Sequence, residues 1–286
     1  MEIPFTKMHG AGNDYIFINC MDGKINIKNP SLLSVRMSDR HFGIGADGIV
    51  LILPSDACDA RMRMFNSDGS EGKMCGNALR CIGKFLYEKK YISKTSLQIE
   101  TAAGMRRLWL KVSRGRLKGA LADMGRASFF AADIPVLAAP DREGFITVGG
   151  LARGPCRATC VSLGNPHAVF FTEDPEKTEL SKIGASLEKH PLFPEGVNTE
   201  FAHITDGEIS MRVWERGSGE TLACGTGACA CAAAAVLHSL LPYDTPIKIH
   251  MRGGEFEATV KKNFRVLLYG TAKTVFDGIY YCDTEE

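Results

Sequence analysis

Laid over itself at an offset of about 150 residues, the chain repeats its own punctuation. Gly10-Ala11-Gly12-Asn13-Asp14 falls against Ser162-Leu163-Gly164-Asn165-Pro166. Asp68-Gly69-Ser70 with Met74-Cys75-Gly76-Asn77 falls against Arg216-Gly217-Ser218 with Ala223-Cys224-Gly225-Thr226. Each half thus offers a Gly-Asn turn and a Gly-Ser segment leading into a Cys-Gly helix start. At 286 residues the chain is also long for one compact core. The repeat predicts two pseudo-symmetric lobes, 1–124 plus 275–286 carrying Cys75 and 125–274 carrying Cys224. They would divide where the strand ending near Met124-Gly125 gives way to an irregular stretch through Pro140. Two such lobes facing across a pseudo-twofold axis would bring equivalent residues to opposite sides of one cleft.

Short β-branched and aromatic runs between Gly, Asn and Asp turns predict strands in the first half at Tyr15–Asn19, Gly48–Leu53, Ala60–Phe65, Leu97–Thr101, Arg107–Val112 and Leu117–Met124. Helical spacing covers Pro30–Arg40, opened by Asn29 as a cap, and Ala78–Lys90. The second half predicts strands at Cys160–Leu163, Ala168–Phe171, Val197–Ile204, Ser210–Trp214, Ile247–His250, Phe256–Lys261 and Arg265–Tyr269, and a main helix at Gly227–Leu241. A last strand, Thr274–Tyr281, returns to the first lobe. The class is strand-rich α/β, in the α+β sense.

Lysine plus arginine total 34 against 33 acidic residues, so no net field draws nucleic acid or an anionic membrane, and a small molecule is the expected partner. The start, MEIPFTKMHG, lacks a secretory layout and predicts a cytoplasmic protein. The apolar run Ala228–Leu241 is short for a bilayer span and reads as a buried helix. Ten cysteines in a chain of this length without a signal predict reduced thiols. Their spacings lack the paired Cys-x-x-Cys units of a structural zinc site, so no metal is expected.

Taken singly, each cysteine reads as a buried apolar residue. The matched pair points to chemistry instead. Cys75 and Cys224 both stand where a helical pattern begins, and a helix N-terminus lowers a thiol's pKa from about 8.5 and binds carboxylates. Gly76 and Gly225 would let a substrate approach the backbone, while Asn77 and Thr226 would cap the helices. One thiolate and one thiol on opposite faces of a carbon suit a two-base inversion that requires no cofactor. Because an amino-acid α-proton is hard to remove, such a site must exclude water and offer N–H donors to the developing charge. Asn13, Asn66, Asn165, His167, Asn198, Glu215 and Arg216 would singly be turn formers or solvated side chains. Together they suggest a polar substrate charged at both ends, the Arg216 fork suiting a second carboxylate.

At these residues the chain resembles the diaminopimelate epimerase family along nearly its whole length. The resemblance rests on Lys7 to Asp14, Phe65 to Glu71, Met74 to Asn77, Gly164 to His167, Val197-Asn198 and Glu215 to Gly227. It implies interconversion of LL- and meso-diaminopimelate, for lysine and peptidoglycan precursors. It also implies two strand-rich barrels, each wrapped around a central helix with the active site between them, assembled as a homodimer. Cys75 and Cys224 become the acid–base pair, assisted by His167 and Glu215. Gly76-Asn77 and Gly225-Thr226 hold the reacting carboxylate, and Asn13, Asn66, Asn165, Asn198, Glu215 and Arg216 grip the substrate. The chain departs from the family pattern at Ala78, where glycine is common, and at Gly48, where some members carry glutamine near the substrate. These departures leave open a tuned preference within diamino-diacids, for example for lanthionine; the rival is a thiol-pair racemase of proline or histidine, against which Asn66, Asn198 and Arg216 together argue. Gly43 to Gly48 formally matches a dinucleotide fingerprint, but a helix precedes it and a strand follows, the reverse of the required order. An amino-acid binding protein would have no use for paired thiols.

Overall fold

The computed structural model describes residues 1–150 and 154–282. It divides into two compact units, Met1–Ala122 with Gly270–Glu286, and Asp123–Tyr269. Residues 283–286, expected in the first lobe, and 151–153, expected in the second, lie outside the described residues.

The chain begins with β1 (Glu2–Gly10), β2 (Asn13–Asn19), α1 (Pro30–Ser38), β3 (Gly48–Leu53), β4 (Ala60–Asn66), β5 (Glu71–Gly72), α2 (Gly76–Glu88), β6 (Ser96–Glu100), β7 (Arg106–Ser113) and β8 (Arg116–Arg126). It continues with β9 (Ile146–Val148), β10 (Cys156–Ser162), β11 (Pro166–Phe171), α3 (Leu180–Glu188), β12 (Asn198–Thr205), β13 (Glu208–Glu215), β14 (Gly219–Thr221), α4 (Gly225–Leu237), β15 (Pro246–Met251), β16 (Gly254–Val260), β17 (Arg265–Gly270) and β18 (Lys273–Tyr281). The fold is mixed α+β and rich in strands, as expected from sequence.

Both units follow one wiring. In the first, β1 pairs antiparallel with β2, β2 runs parallel to β3, β3 is antiparallel to β4, β4 parallel to β6, and β6 antiparallel to β7. In the second, β10 and β11 are antiparallel, β11 and β12 parallel, β12 and β13 antiparallel, β13 and β15 parallel, and β15 and β16 antiparallel. Parallel neighbours need a crossover. The 9-residue helices α1 and α3 supply the first crossover of each unit, and the 13-residue helices α2 and α4 the second. Helix α2 packs on β1, β2, β7 and β18, and α4 on β10 to β13 and β16, so each unit's strands wrap its long helix.

Composition explains how a helix fits there. Ala228 and Ala230 with Ala232 to Ala235 make α4 apolar and slender, and all but Thr226 and Leu237 of its residues are buried. A helix apolar all round belongs in a core. In α2, Gly83 plays the slimming part, since an added Cβ would stand 2.8 Å from Leu110 Cδ2. Both helices stop on a non-glycine residue with positive φ, Lys90 at 64° and Ser239 at 58°, whose amides fold back on Tyr87 and Val236 carbonyls. That turn ends α4 before the expected Leu241.

The short strands β5, β9 and β14, together with strand β1 and helix α3, were not anticipated from sequence. Strand β1 was not anticipated, because its register slips between Lys7 and Met8 and breaks the alternation that marks a strand. Helix α3 was not anticipated because Gly184 interrupts it. An added Cβ there would meet Trp214 at 2.5 Å, so the glycine makes room for an indole from β13. The glycine-rich Gly43 to Gly48 has a packing role. Ile44 and Gly45 amides bond the Met37 carbonyl and the Ala46 amide bonds that of Ser38, closing the end of α1. Among the described residues no helix is long and apolar enough to cross a membrane.

Candidate active site

In the first unit the β1–β2 hairpin turns on Ala11 and Gly12, with φ of 53° and 86°, so that Gly10 pairs with Asn13. Two positive-φ residues make the tight turn that matches strand twist. The turn lies against α2, where an added Cβ on Gly10 would stand 3.1 Å from Asn77 Cβ. Asn13 is thereby delivered to the helix start. Its Oδ1 accepts from Cys75 Sγ at 3.4 Å and from Asn77 Nδ2 at 3.1 Å, while its Nδ2 donates to Asp47 Oδ2 at 2.8 Å. Asn77 Oδ1 in turn accepts from Arg80, a guanidinium wholly buried in α2. Burial and the neighbouring Asp14 carboxylate push the Asp47 carboxyl upward, opposed by hydrogen bonds from Asn13 and the Asp14 amide and by the Arg40 charge.

The second unit places equivalent residues around Cys224. Gly164, at φ 96°, turns β10 into β11 and presents Asn165. Asn165 Nδ2 donates to Thr226 Oγ1 at 3.3 Å, and Thr226 Oγ1 lies 3.4 Å from Cys224 Sγ. His167, fully buried on β11, faces Asn165 Oδ1 with Nε2 at 3.1 Å and Glu200 Oε1 with Nδ1 at 2.6 Å. Glu215 ends β13, where Thr221 donates to its carboxylate.

Asn77 and Thr226 were expected from sequence to cap the helices; instead the cysteines themselves occupy the capping position. Cys75 and Cys224 have extended backbones, and Cys224 Sγ accepts from the Gly227 amide at 3.4 Å. The first intrahelical bonds run from Leu79 to Cys75 and from Ala228 to Cys224. Helix geometry therefore leaves the amides of Gly76-Asn77 and Gly225-Thr226 without an intrahelical acceptor, suited to an anion. A second correction concerns acidity. A helix N-terminus should make a thiol more acidic, yet the Cys224 thiol is pushed well above its ordinary range. Burial is the largest cause, followed by the charges of Glu215 and Glu200; hydrogen bonds from Thr226 and Gly227 oppose it without prevailing. Burial likewise raises Glu215.

The remaining candidates are Asn66, Asn198 and Arg216. Asn66 Nδ2 donates to Ser70 Oγ at 3.0 Å within the β4–β5 turn. Asn198, 5% exposed, bridges the Pro166 carbonyl at 2.7 Å and the Arg216 amide at 2.9 Å, so its carboxamide holds the segment bearing Arg216. Arg216 is exposed and spends one nitrogen on the Glu195 carbonyl at 2.7 Å. Glu188 at the end of α3 binds Trp214 Nε1 at 2.7 Å and the Gly217 amide at 2.9 Å, bracing the same loop. Asp47, Arg80, Glu188 and Glu200 were not singled out from sequence. Only Glu200 carried a signal, as a carboxylate inside the otherwise buried run Val197–Ala202.

A family model described as diaminopimelate epimerase matches residues 5–130 and 159–275. A relative of that name from Methanococcus maripaludis is 48% identical over 276 residues, covering 96% of this chain and 98% of the relative. Another from Acetivibrio thermocellus is 46% identical over 276 residues, covering 96% and 97%. Among solved structures, a hydroxyproline epimerase from Agrobacterium vitis aligns with a TM-score of 0.74 at 16% identity, over 99% of this chain and 94% of that one. At that identity the likeness is one of fold.

Proposed function

We propose, from the premise that this chain belongs to the diaminopimelate epimerase family and is an isomerase, that it interconverts LL- and meso-2,6-diaminopimelate through a cofactor-independent exchange of the α-proton between two cysteines. One thiolate takes the proton, and the other residue's thiol returns one to the opposite face of the same carbon. The observation that carries this reading is the matched pair of capping cysteines. Each opens a 13-residue helix at the core of its unit and is tied, directly or through Thr226, to the asparagine of the equivalent turn.

The amides of Gly76-Asn77 and Gly225-Thr226 would hold the reacting carboxylate and stabilise the negative charge that grows on it as the α-proton leaves. Burial and carboxylate neighbours favour the protonated form of Cys224, which suits it to return the proton in one direction of the reaction; in the reverse direction the two thiols exchange roles. His167 and Glu215 assist from the Cys224 side. Asn66, Asn198 and Arg216 would grip the far, non-reacting end of the substrate, with the exposed guanidinium on its second carboxylate. The product would feed lysine and peptidoglycan precursors in the cytoplasm, with the protein working as a homodimer.

The test is to incubate reduced protein with LL-diaminopimelate in deuterated water, without pyridoxal phosphate or added metal, alongside lanthionine, L-histidine and L-proline. Deuterium entry with meso product is expected for diaminopimelate. Exchange into histidine or proline with diaminopimelate inert would discredit the far-end clamp. Cys75→Ala and Cys224→Ala should each abolish inversion, and substantial activity in either would sink the two-base assignment.

A further inference from the structure

Glu200 is a carboxylate where a carboxylate is costly. It sits on β12 with no exposed surface, and Oε2 has no hydrogen-bond partner among the described residues. Burying a charged group without full hydrogen bonding is unfavourable by several kcal/mol on general grounds, so the side chain needs a reason beyond filling space. Among the described residues its side chain's one hydrogen-bond partner is His167 Nδ1 at 2.6 Å. Its place is tightly defined, since a Cβ added to Gly227 would stand 2.8 Å from Oε1. The carboxylate thus lies beside the first turn of α4, two residues beyond the register pair His167–Asn198 that aligns β11 with β12.

We infer that Glu200 is a positioning residue for Cys224: it fixes the His167 ring, and through that ring the Asn165 carboxamide and Thr226 hydroxyl that end on the thiol. The contacts form one unbroken path within the second unit, at 2.6 Å from Glu200 to His167, 3.1 Å to Asn165, 3.3 Å to Thr226 and 3.4 Å to Cys224 Sγ. A carboxylate on Nδ1 takes that nitrogen's proton as its hydrogen bond and holds the ring plane. Nε2 must then carry a proton as well and donate to Asn165 Oδ1, making the pair an imidazolium and a carboxylate, and Asn165 Nδ2 donates to the Thr226 hydroxyl oxygen beside the sulfur. The titratable groups around Glu200 are His167 on β11, Glu215 on β13, Cys160 on β10, and Cys224 and Cys231 on α4. Among them only Glu215 brings a second carboxylate near Cys224, so removing the Glu200 charge should be felt at the thiol.

The inference rests on the reading of Cys224 as a catalytic thiol. Cys224→Ala tests that reading, and Glu200 variants test the inference separately. Glu200→Gln keeps the volume and removes the charge. The expected result is a kcat about 10- to 100-fold lower, as for other partners that orient a working group indirectly, with KM changed less than about threefold. Alkylation of the Cys224 peptide by iodoacetamide should also move to lower pH. In a His167→Asn background, Glu200→Gln should cost nothing further, because the path is already cut. A folded Glu200→Gln enzyme with kcat within threefold of the parent, or losses that multiply in the double variant, would overturn the proposal. If the variant does not fold, histidine-ring NMR on the unaltered isotope-labelled protein decides the matter. Protons on both His167 nitrogens across the active pH range support the proposal, and a bare Nδ1 or a bare Nε2 overturns it.

Discussion

Substituting Gly48 by alanine tests how the fold delivers Asn66. Gly48 opens β3 and pairs with Asn66 at the end of β4. A Cβ there would stand 2.0 Å from the Phe65 carbonyl oxygen, 3.0 Å from the Phe65 carbonyl carbon and 3.1 Å from Asn66 Cα. These are backbone atoms, so no rotamer relieves the contact and the strands must part by roughly 1 Å to restore an ordinary van der Waals separation. Overpacking of this sort costs about 1–3 kcal/mol, and one or two weakened ladder bonds add about 1 kcal/mol each. A loss of roughly 2–5 kcal/mol corresponds to a Tm lower by about 4–20 °C for a chain of this size. The same displacement carries Asn66, and a 1 Å misplacement in a site can cost on the order of 100-fold in rate. Calorimetry and the epimerisation assay on Gly48→Ala read both effects. A variant within about 2 °C of the parent Tm and of equal kcat/KM would refute the reasoning. Glutamine at this position, larger than alanine and meeting the same backbone atoms, should do at least as much harm.

Asp47→Ala removes the acceptor that holds Asn13 Nδ2. Loss of that hydrogen bond, about 1.5–3 kcal/mol, should lower the denaturation midpoint and, by releasing Asn13, kcat/KM roughly 10- to 100-fold; unaltered kinetics would count against an anchored Asn13. Glu188→Ala frees Trp214 and Gly217 at once. It should cost about 2–3 kcal/mol in urea unfolding and raise KM more than it lowers kcat, because Arg216 lies in the loosened segment. Alkaline stability follows from the buried thiols, since burial pushes Cys20 up to about 11 and Cys81 and Cys160 up to about 12. Their unfolded counterparts ionise first, near 8.5, so stability is level below that pH and falls as pH rises toward the folded values. The slope is at most about 1.4 kcal/mol per pH unit per thiol. A urea midpoint unchanged between pH 9 and 11 would contradict it.

Sequence reading reached the long helices and most strands because their signals are local. Val50 to Ile52 announce a buried strand, and Asn29 before Pro30 announces a helix. It also reached Cys75, Cys224, Asn13 and Asn165, because a duplicated chain writes each of them twice and a coincidence of four residues stands out where one would not. Strand β1 escaped because a register slip erases alternation, and α3 because Gly184 is explained only by the Trp214 ring that fills its place. Asp47 and Glu200 escaped for a different reason. Neither has a counterpart at the duplicated offset, and each matters through a residue on another strand or turn. Which strand lies alongside, and in what register, is written nowhere in the segment itself.

The sequence by itself therefore determined that two similar units would form, that each would set a cysteine at the head of a buried helix, and that an asparagine turn would accompany each. Helix geometry and short-range pattern suffice for those statements. The character of the thiols was decided only by tertiary structure. At Cys224 the helix terminus favours the thiolate, but burial and the carboxylates of Glu215 and Glu200, brought in from β13 and β12, prevail and keep the proton on sulfur. Desolvation and Coulomb energy depend on distance in space, and the distances that matter here join residues far apart in the chain.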